Sequence, residues 1–211
     1  MSYRSGASAK TSGRRFYKFA EEGFTLIELL VAISILTILA MVAVPSFNDF
    51  FVRNKVSGVA NELMATLNLA RSESVRRGQP VSVCKSTDGT SCAGTGTHWD
   101  SGWIVFVNED DDSPAVVDTG ESILEVRQNL PVGVTVRSNT NFTNYITFSR
   151  TGLANNIGTF AICANNDVTR ARAITIIRTR VTMATDSDGN GIPEKLDTNG
   201  NLADIPSCAN P

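Results

Sequence analysis

Residues 22–30 read Glu22-Gly23-Phe24-Thr25-Leu26-Ile27-Glu28-Leu29-Leu30. A glycine stands at the edge of an apolar run, an aromatic opens the run, and a carboxylate sits inside it. From Phe24 to Val44 the chain is predominantly apolar for 21 residues, and Glu28 is the one charge. A helix of about 20 residues, rising about 1.5 Å per residue, spans a bilayer. Ahead of the run lie Arg4, Lys10, Arg14, Arg15 and Lys18, opposed by Glu21 and Glu22. A basic flank predicts a cytoplasmic N-terminus, which places everything after the span outside the cytoplasm. A cleaved secretory signal would end at a small-residue site. No such site stands out after Val44, and amphipathic helix follows directly, so the span reads as retained.

Beyond the span, Val56, Val59, Ala60, Leu63, Leu67 and Ala70 recur at three- and four-residue spacing, which is helical. Gly78 and Pro80 close the pattern. The expected helix covers residues 24–78, membrane-spanning over 24–44 and amphipathic over 45–78, and unbroken it would reach roughly 80 Å. Pro45 lies at the junction and can kink or locally melt it. After Pro80 the pattern changes to short β-rich runs: Val81–Lys85, Trp103–Asn108, Ile123–Leu130, Val134–Ser138, Tyr145–Ser149, Thr159–Ala164 and Ala173–Thr185, the last readable as two strands. The fold class is α+β: a long N-terminal transmembrane and amphipathic helix packed on an antiparallel β-sandwich. The β-rich exported domain covers 79–211 and ends in an acidic tail. Trp103 and Phe106 read as core, while His98, Trp99 and Glu109–Asp112 read as loop.

Composition narrows the function. The 211 residues carry 19 basic and 21 acidic side chains, a net charge of -2, which excludes a basic whole-chain nucleic-acid binder. His98 is the only histidine, leaving little for a histidine-based active site or a multi-histidine metal centre. No nucleophile motif such as Gly-x-Ser-x-Gly and no phosphate-binding glycine loop occurs. Cys84, Cys92, Cys163 and Cys208 allow three pairings. Cys84 and Cys92 bracket a glycine-containing loop as a hairpin bridge would, leaving Cys163 and Cys208 to pin the tail. Zinc is the other use for four cysteines, but their wide spacing does not fit it.

The stretch Gly23-Phe24-Thr25-Leu26-Ile27-Glu28 resembles the processing motif of type IV prepilins and type II secretion pseudopilins. The resemblance implies that a membrane peptidase cuts between Gly23 and Phe24 and that Phe24 is then methylated, making 1–23 a prepilin leader. It also gives Glu28 a partner. A lone carboxylate in hydrocarbon costs about 2.5 kcal/mol or more. Cleavage creates an amine about one helical turn away, and in the family that amine, on a neighbouring subunit, is the proposed partner. Gly102-Trp103-Ile104-Val105-Phe106 with Glu109–Asp112, and Asn68-Leu69-Ala70-Arg71-Ser72-Glu73-Ser74-Val75, resemble the GspH/FimT group. The implied function is structural, not enzymatic: a GspH/FimT/FimU-type minor pilin in the initiating or tip complex of a type IV pilus. It would reside in the bacterial inner membrane, single-pass with its globular domain periplasmic, until assembly. Its partners would be prepilin peptidase/methyltransferase, and other minor and major pilins in a helical filament. The alternatives are a type II secretion minor pseudopilin of the GspH type and a DNA-binding minor pilin for natural transformation of the FimT type.

Two further stretches are candidate binding sites. Asp186-Ser187-Asp188-Gly189-Asn190-Gly191-Ile192-Pro193-Glu194-Lys195-Leu196-Asp197 spaces its oxygens like a calcium loop, so Asp186, Asp188, Asn190, Ile192 and Asp197 are candidate calcium ligands. An acidic, turn-rich surface loop has the same composition. Arg170, Arg172, Arg178 and Arg180 would share one face of an unbroken strand and could grip DNA phosphates, whereas a turn between them would part them. DNA-uptake pilins of the FimT type carry Gly-Arg-x-Arg here. This chain has Ile177 in place of the glycine, and its arginines can also pair with acids or neighbouring subunits.

Overall fold

The computed structural model describes residues 23–94, 98–196, 202–209 and 211, leaving aside the side chains of residues 42, 44–46, 196 and 202. The leader over 1–22 lies outside these residues. The chain divides into two units at Val44/Pro45. Helix α1 runs Leu26–Arg77. Thr25 caps its start: the Glu28 N–H donates to Thr25 Oγ1 at 3.3 Å, and the Leu29 N–H to the Thr25 carbonyl at 3.2 Å. Thr25 and Glu28 stand at the spacing of a capping box. Every side chain from Gly23 to Met41 is exposed. Among the described residues no helix is long and apolar enough to cross a membrane. Residues 42 and 44, which complete the apolar run, lie outside those whose side chains are described. The helix continues through residue 45, so the melting considered there does not occur. A proline removes one N–H and leaves the flanking turns bonded.

In the second unit α1 ends at Arg77, and Gly78 takes the left-handed conformation (φ 64°) that terminates helices. Among the described residues ten strands follow: β1 (Val81–Lys85), β2 (Gly102–Val107), β3 (Ile123–Gln128), β4 (Val134–Ser138), β5 (Tyr145–Phe148), β6 (Gly158–Ala164), β7 (Asp167–Ile177), β8 (Arg180–Met183), β9 (Glu194–Leu196) and β10 (Leu202–Asp204). They form two four-stranded antiparallel sheets, β3-β2-β1-β5 and β4-β6-β7-β8, and a β9–β10 hairpin. One core joins them. The helical face of Val56, Val59, Ala60, Leu63, Leu67 and Ala70 packs with residues of both sheets, among them Val83, Trp103, Val105, Phe160, Ile162 and Ile174. This is an N-terminal helix packed on antiparallel sheets.

The outer face of each sheet carries its own small apolar cluster. On the first, Cys84, Ile104 and Phe106 meet Ala115, with Cys92 and Val117 against them. On the second, Ala161, Cys163, Ala171 and Ala173 meet Ile205 and Cys208 of the tail. Strands β1 and β2 are therefore buried on both faces.

Two sequence expectations need correction, and a third is decided between its two alternatives. Trp99 lies on irregular backbone, yet it is fully buried, edge-on to Phe160 at 5.1 Å, with its indole N–H donating to the Phe142 carbonyl at 3.1 Å. The strand expected from residue 173 begins at Asp167. The Asn165-Asn166 turn before it (φ 52° and 60°) has the two left-handed residues that suit a two-residue hairpin. The run to residue 185 is broken after Ile177 by the turn at Arg178-Thr179, so it is two strands.

Candidate functional site

The site at the helix start is built by the chain order. Gly23 is exposed, and a Cβ added there would meet nothing within 4 Å. Phe24 is 84% exposed. The Thr25 cap then fixes the first turn, and Glu28 sits in it, about 6 Å along the axis from Phe24. The geometry leaves the peptide after Gly23 unhindered and holds a carboxylate one turn further on. Thr25 was absent from the sequence-derived set. Its signal was present in the Thr-x-x-Glu spacing.

The four arginines do not share one face of one strand. Arg170 and Arg172 lie in the first half of β7, pointing the same way as the core residues Ile174 and Ile176. There they meet α1: Arg170 pairs with Asp49 at 2.9 Å and with Asp167 at 3.4 Å, and Arg172 Nε reaches Ser57 Oγ at 3.5 Å. Thr169 hydroxyl and amide and Arg170 together hold the Asp167 carboxyl below its usual range, against the upward pull of burial. Arg178 and Arg180 flank the β7–β8 turn, about 20 Å further along the strand from Arg172. Both are exposed and without a carboxylate in ion-pair reach among the described residues.

The calcium candidates sit in a loop that is tied to itself. The Asp186 carboxylate accepts the N–H groups of Gly189 and Gly191, both at 2.8 Å. Burial pulls its pKa upward, but the Gly191 and Gly189 N–H groups prevail and hold it below the usual range. Asn190 N–H donates to Asp188, and the Ile192 N–H donates to Asn190. Asp197 lies outside the described residues. A different acidic set comes together: Asp188, Glu194 and Asp204 have carboxylate oxygens within 4.8 Å of one another and could hold a divalent cation. Glu194 is buried and already accepts from the Ser187 amide and hydroxyl. Glu194 and Asp204 were missed because they belong to the β9–β10 hairpin, whose three-residue strands show no readable alternation.

The cysteines form two bridges, Cys84–Cys92 and Cys163–Cys208. Between the first pair, Asp88 organises the loop. Its carboxylate accepts from the Ser91 hydroxyl and from the Thr90 and Ser91 amides, which hold it well below the usual carboxylate range.

Comparison with known proteins matches both parts of the chain. Residues 59–179 match the family described as type II transport protein GspH, and residues 18–44 match the prokaryotic N-terminal methylation motif. A fimbrial protein of Pseudomonas aeruginosa is 35% identical over 69 residues, covering 33% of this chain and 45% of that one. The type IV major fimbrial protein FimA of Dichelobacter nodosus is 34% identical over 86 residues, covering 40% and 50%. The chain thus spans about half the length of these relatives or less. The crystal structure of the type IV minor pilin FimU of P. aeruginosa superposes with a TM-score of 0.52 at 22% identity, over 75% of this chain and 98% of that one. At that identity the likeness is one of fold.

Proposed function

The chain is a type IV pilin-like protein of the GspH family with an N-terminal methylation motif, and from that premise we propose that it is a minor pilin of the initiating or tip complex of a type IV pilus. Family and fold are those of structural subunits. In this reading a membrane peptidase cuts between Gly23 and Phe24 and Phe24 is methylated. The chain rests in the inner membrane through residues 24–44, with its N-terminus cytoplasmic and its β-domain periplasmic. Glu28 pairs with the N-terminal amine of a neighbouring pilin and sets axial register as subunits stack, a role that buried charged groups fill elsewhere.

The observation that carries this reading is the conjunction of two matches in one chain: a methylation motif opening α1 and a GspH match over the domain that α1 enters. The test is a chromosomal Gly23→Ala variant in the producing bacterium. The expected result is an uncut precursor that never leaves the membrane fraction, with surface pili reduced. Normal maturation would overturn it. A Cβ at Gly23 would meet nothing within 4 Å, so the variant is expected to leave the folded domain intact.

A second reading, a minor pseudopilin of a type II secretion system, is favoured by the description of the matched family. Deletion of the gene separates the two: loss of pili with intact secretion supports the pilus, and the converse supports the pseudopilus. DNA capture is not part of the proposal, because the four arginines fall into two groups and Arg170 is already paired with acids.

A further inference from the structure

Where the first half of β7 approaches α1, a groove of about 450 Å³ opens between Arg53 and Ser57 on one side and Arg170 and Arg172 on the other, floored in part by Met183 and Pro193. This is the room of a short peptide segment and far more than one ion needs. The charges lining it are not equivalent. Arg170 is cancelled by Asp49 and Asp167. Asp186 stands on the far wall with its carboxylate turned onto its own loop. Among the described residues Arg53 has Asp167 nearby but makes no ion pair, and Arg172 has only the Ser57 hydroxyl. Two guanidiniums and a hydroxyl therefore line the opening, and most of the guanidinium donors have no partner among the described residues. Guanidinium forks suit carboxylates, and such charge-assisted bonds are among the stronger ones.

The same molecule displays the complementary surface at its other end. Glu109, Asp110 and Asp111 are exposed on the loop after β2, with Asp112 half-buried beside them. None has a cationic partner within ion-pair reach among the described residues. The loop is anchored just past the C-terminal end of α1, where the Asn108 N–H donates to the Pro80 carbonyl, three residues after Arg77, at 3.0 Å. From Ser57 to Arg77 the helix rises about 30 Å. Groove and acidic loop therefore lie at opposite ends of the domain along α1. A contact between them cannot close on itself in a pair; it is head-to-tail and repeats along an axis.

We propose that the Arg53–Ser57–Arg172 groove is the docking site for the Glu109–Asp112 loop of a second copy of this chain, stacked axially. The proposal rests on the filament-subunit reading. It adds a polar contact between globular domains to the one that reading assigns to Glu28.

The test uses the full chain in detergent, by sedimentation. Wild-type protein should associate at 50 mM salt, at least tenfold more weakly at 500 mM, because contacts between exposed charges are screened. Arg53→Glu with Arg172→Glu should abolish the salt-dependent association. So should Asp110→Lys with Asp111→Lys. Mixing the two variants should restore it as a heterodimer. If the glutamate pair lowers the melting temperature, Arg53→Gln with Arg172→Gln replaces it and should weaken association at least tenfold. A wild-type chain without salt-dependent association, variants that associate as wild type, or a mixture that stays apart would each overturn the proposal. Presence in sheared filaments is scored separately. A chain found in filaments with unresponsive charge variants sinks the groove alone, whereas salt-dependent pairing of a chain absent from filaments sinks the filament reading alone.

Discussion

Three glycines in this chain answer three different demands. Gly102 opens β2 at φ 118°, and a Cβ there would overlap the Arg127 carbonyl oxygen on the paired strand. Both the left-handed backbone and the close approach of β3 require glycine, which explains why it precedes Trp103 in the stretch that resembles the GspH/FimT group. Gly102→Ala should cost at least about 2 to 3 kcal/mol, read as a lower urea midpoint with unchanged slope. Gly58 is the opposite case. It lies exposed in α1 with open space where a Cβ would sit. Gly58→Ala should stabilise by roughly 0.5 to 1 kcal/mol, through helix propensity and a less flexible unfolded chain. Gly23 answers neither demand, since a Cβ added there would meet nothing within 4 Å; the proposed processing is the demand that would account for it. Trp103 joins residue to core: its indole N–H donates to Thr66 Oγ1 at 3.2 Å, and Thr66 in turn donates to Glu125 at 2.8 Å.

At the scale of elements, the last turn of α1 is held by a fork. Glu73 accepts from Arg76 and Arg77, and these bonds, Arg76 first, lower its pKa to about 2. A carboxylate whose folded pKa is depressed contributes stability that is present above its unfolded pKa and lost as pH falls through the folded one. The end of α1 should therefore loosen between about pH 4.5 and pH 2, and Glu73→Gln should flatten that part of the pH-stability curve. Amide exchange at Ser74–Arg77 reads it directly. Helix α1 was legible because its apolar spacing is regular, and β1 and β4 because turn residues bound them on both sides. The β6–β7 hairpin was not, since Asn165-Asn166 reads as generic loop until both residues are seen at positive φ. Trp99 escaped because it is a single aromatic on irregular backbone, and burial there is decided by Phe160, far away in the chain.

Across the whole molecule, the sandwich is finished by segments laid over its outer faces, each tied by a disulfide. The bridges are not equal in reach. Cys84–Cys92 closes 8 residues and Cys163–Cys208 closes 45. In the chain-entropy model these are worth about 2.5 and about 4 kcal/mol. Replacing Cys163 and Cys208 by serine should lower thermal stability more than replacing Cys84 and Cys92, and should expose Ala161, Ala171 and Ala173 as the tail lifts away. This arrangement also explains what the sequence concealed about the arginines. Asp49, Ser57, Arg170 and Arg172 meet only because β7 packs its first half against α1, and no local pattern announces a contact between such distant segments. The turn at Arg178-Thr179, in contrast, was readable as an alternative and decided the question.

The pilin reading turns on maturation by a cut between Gly23 and Phe24. Intact-mass and N-terminal peptide analysis of the chain from the producing bacterium's membranes or sheared filaments tests it most directly. The expected mature protein begins at N-methylated Phe24, with 188 of the 211 residues and a net charge of -5, since the removed leader carries five basic and two acidic side chains. A chain retaining Arg14 and Arg15, or one beginning after Val44, would contradict it.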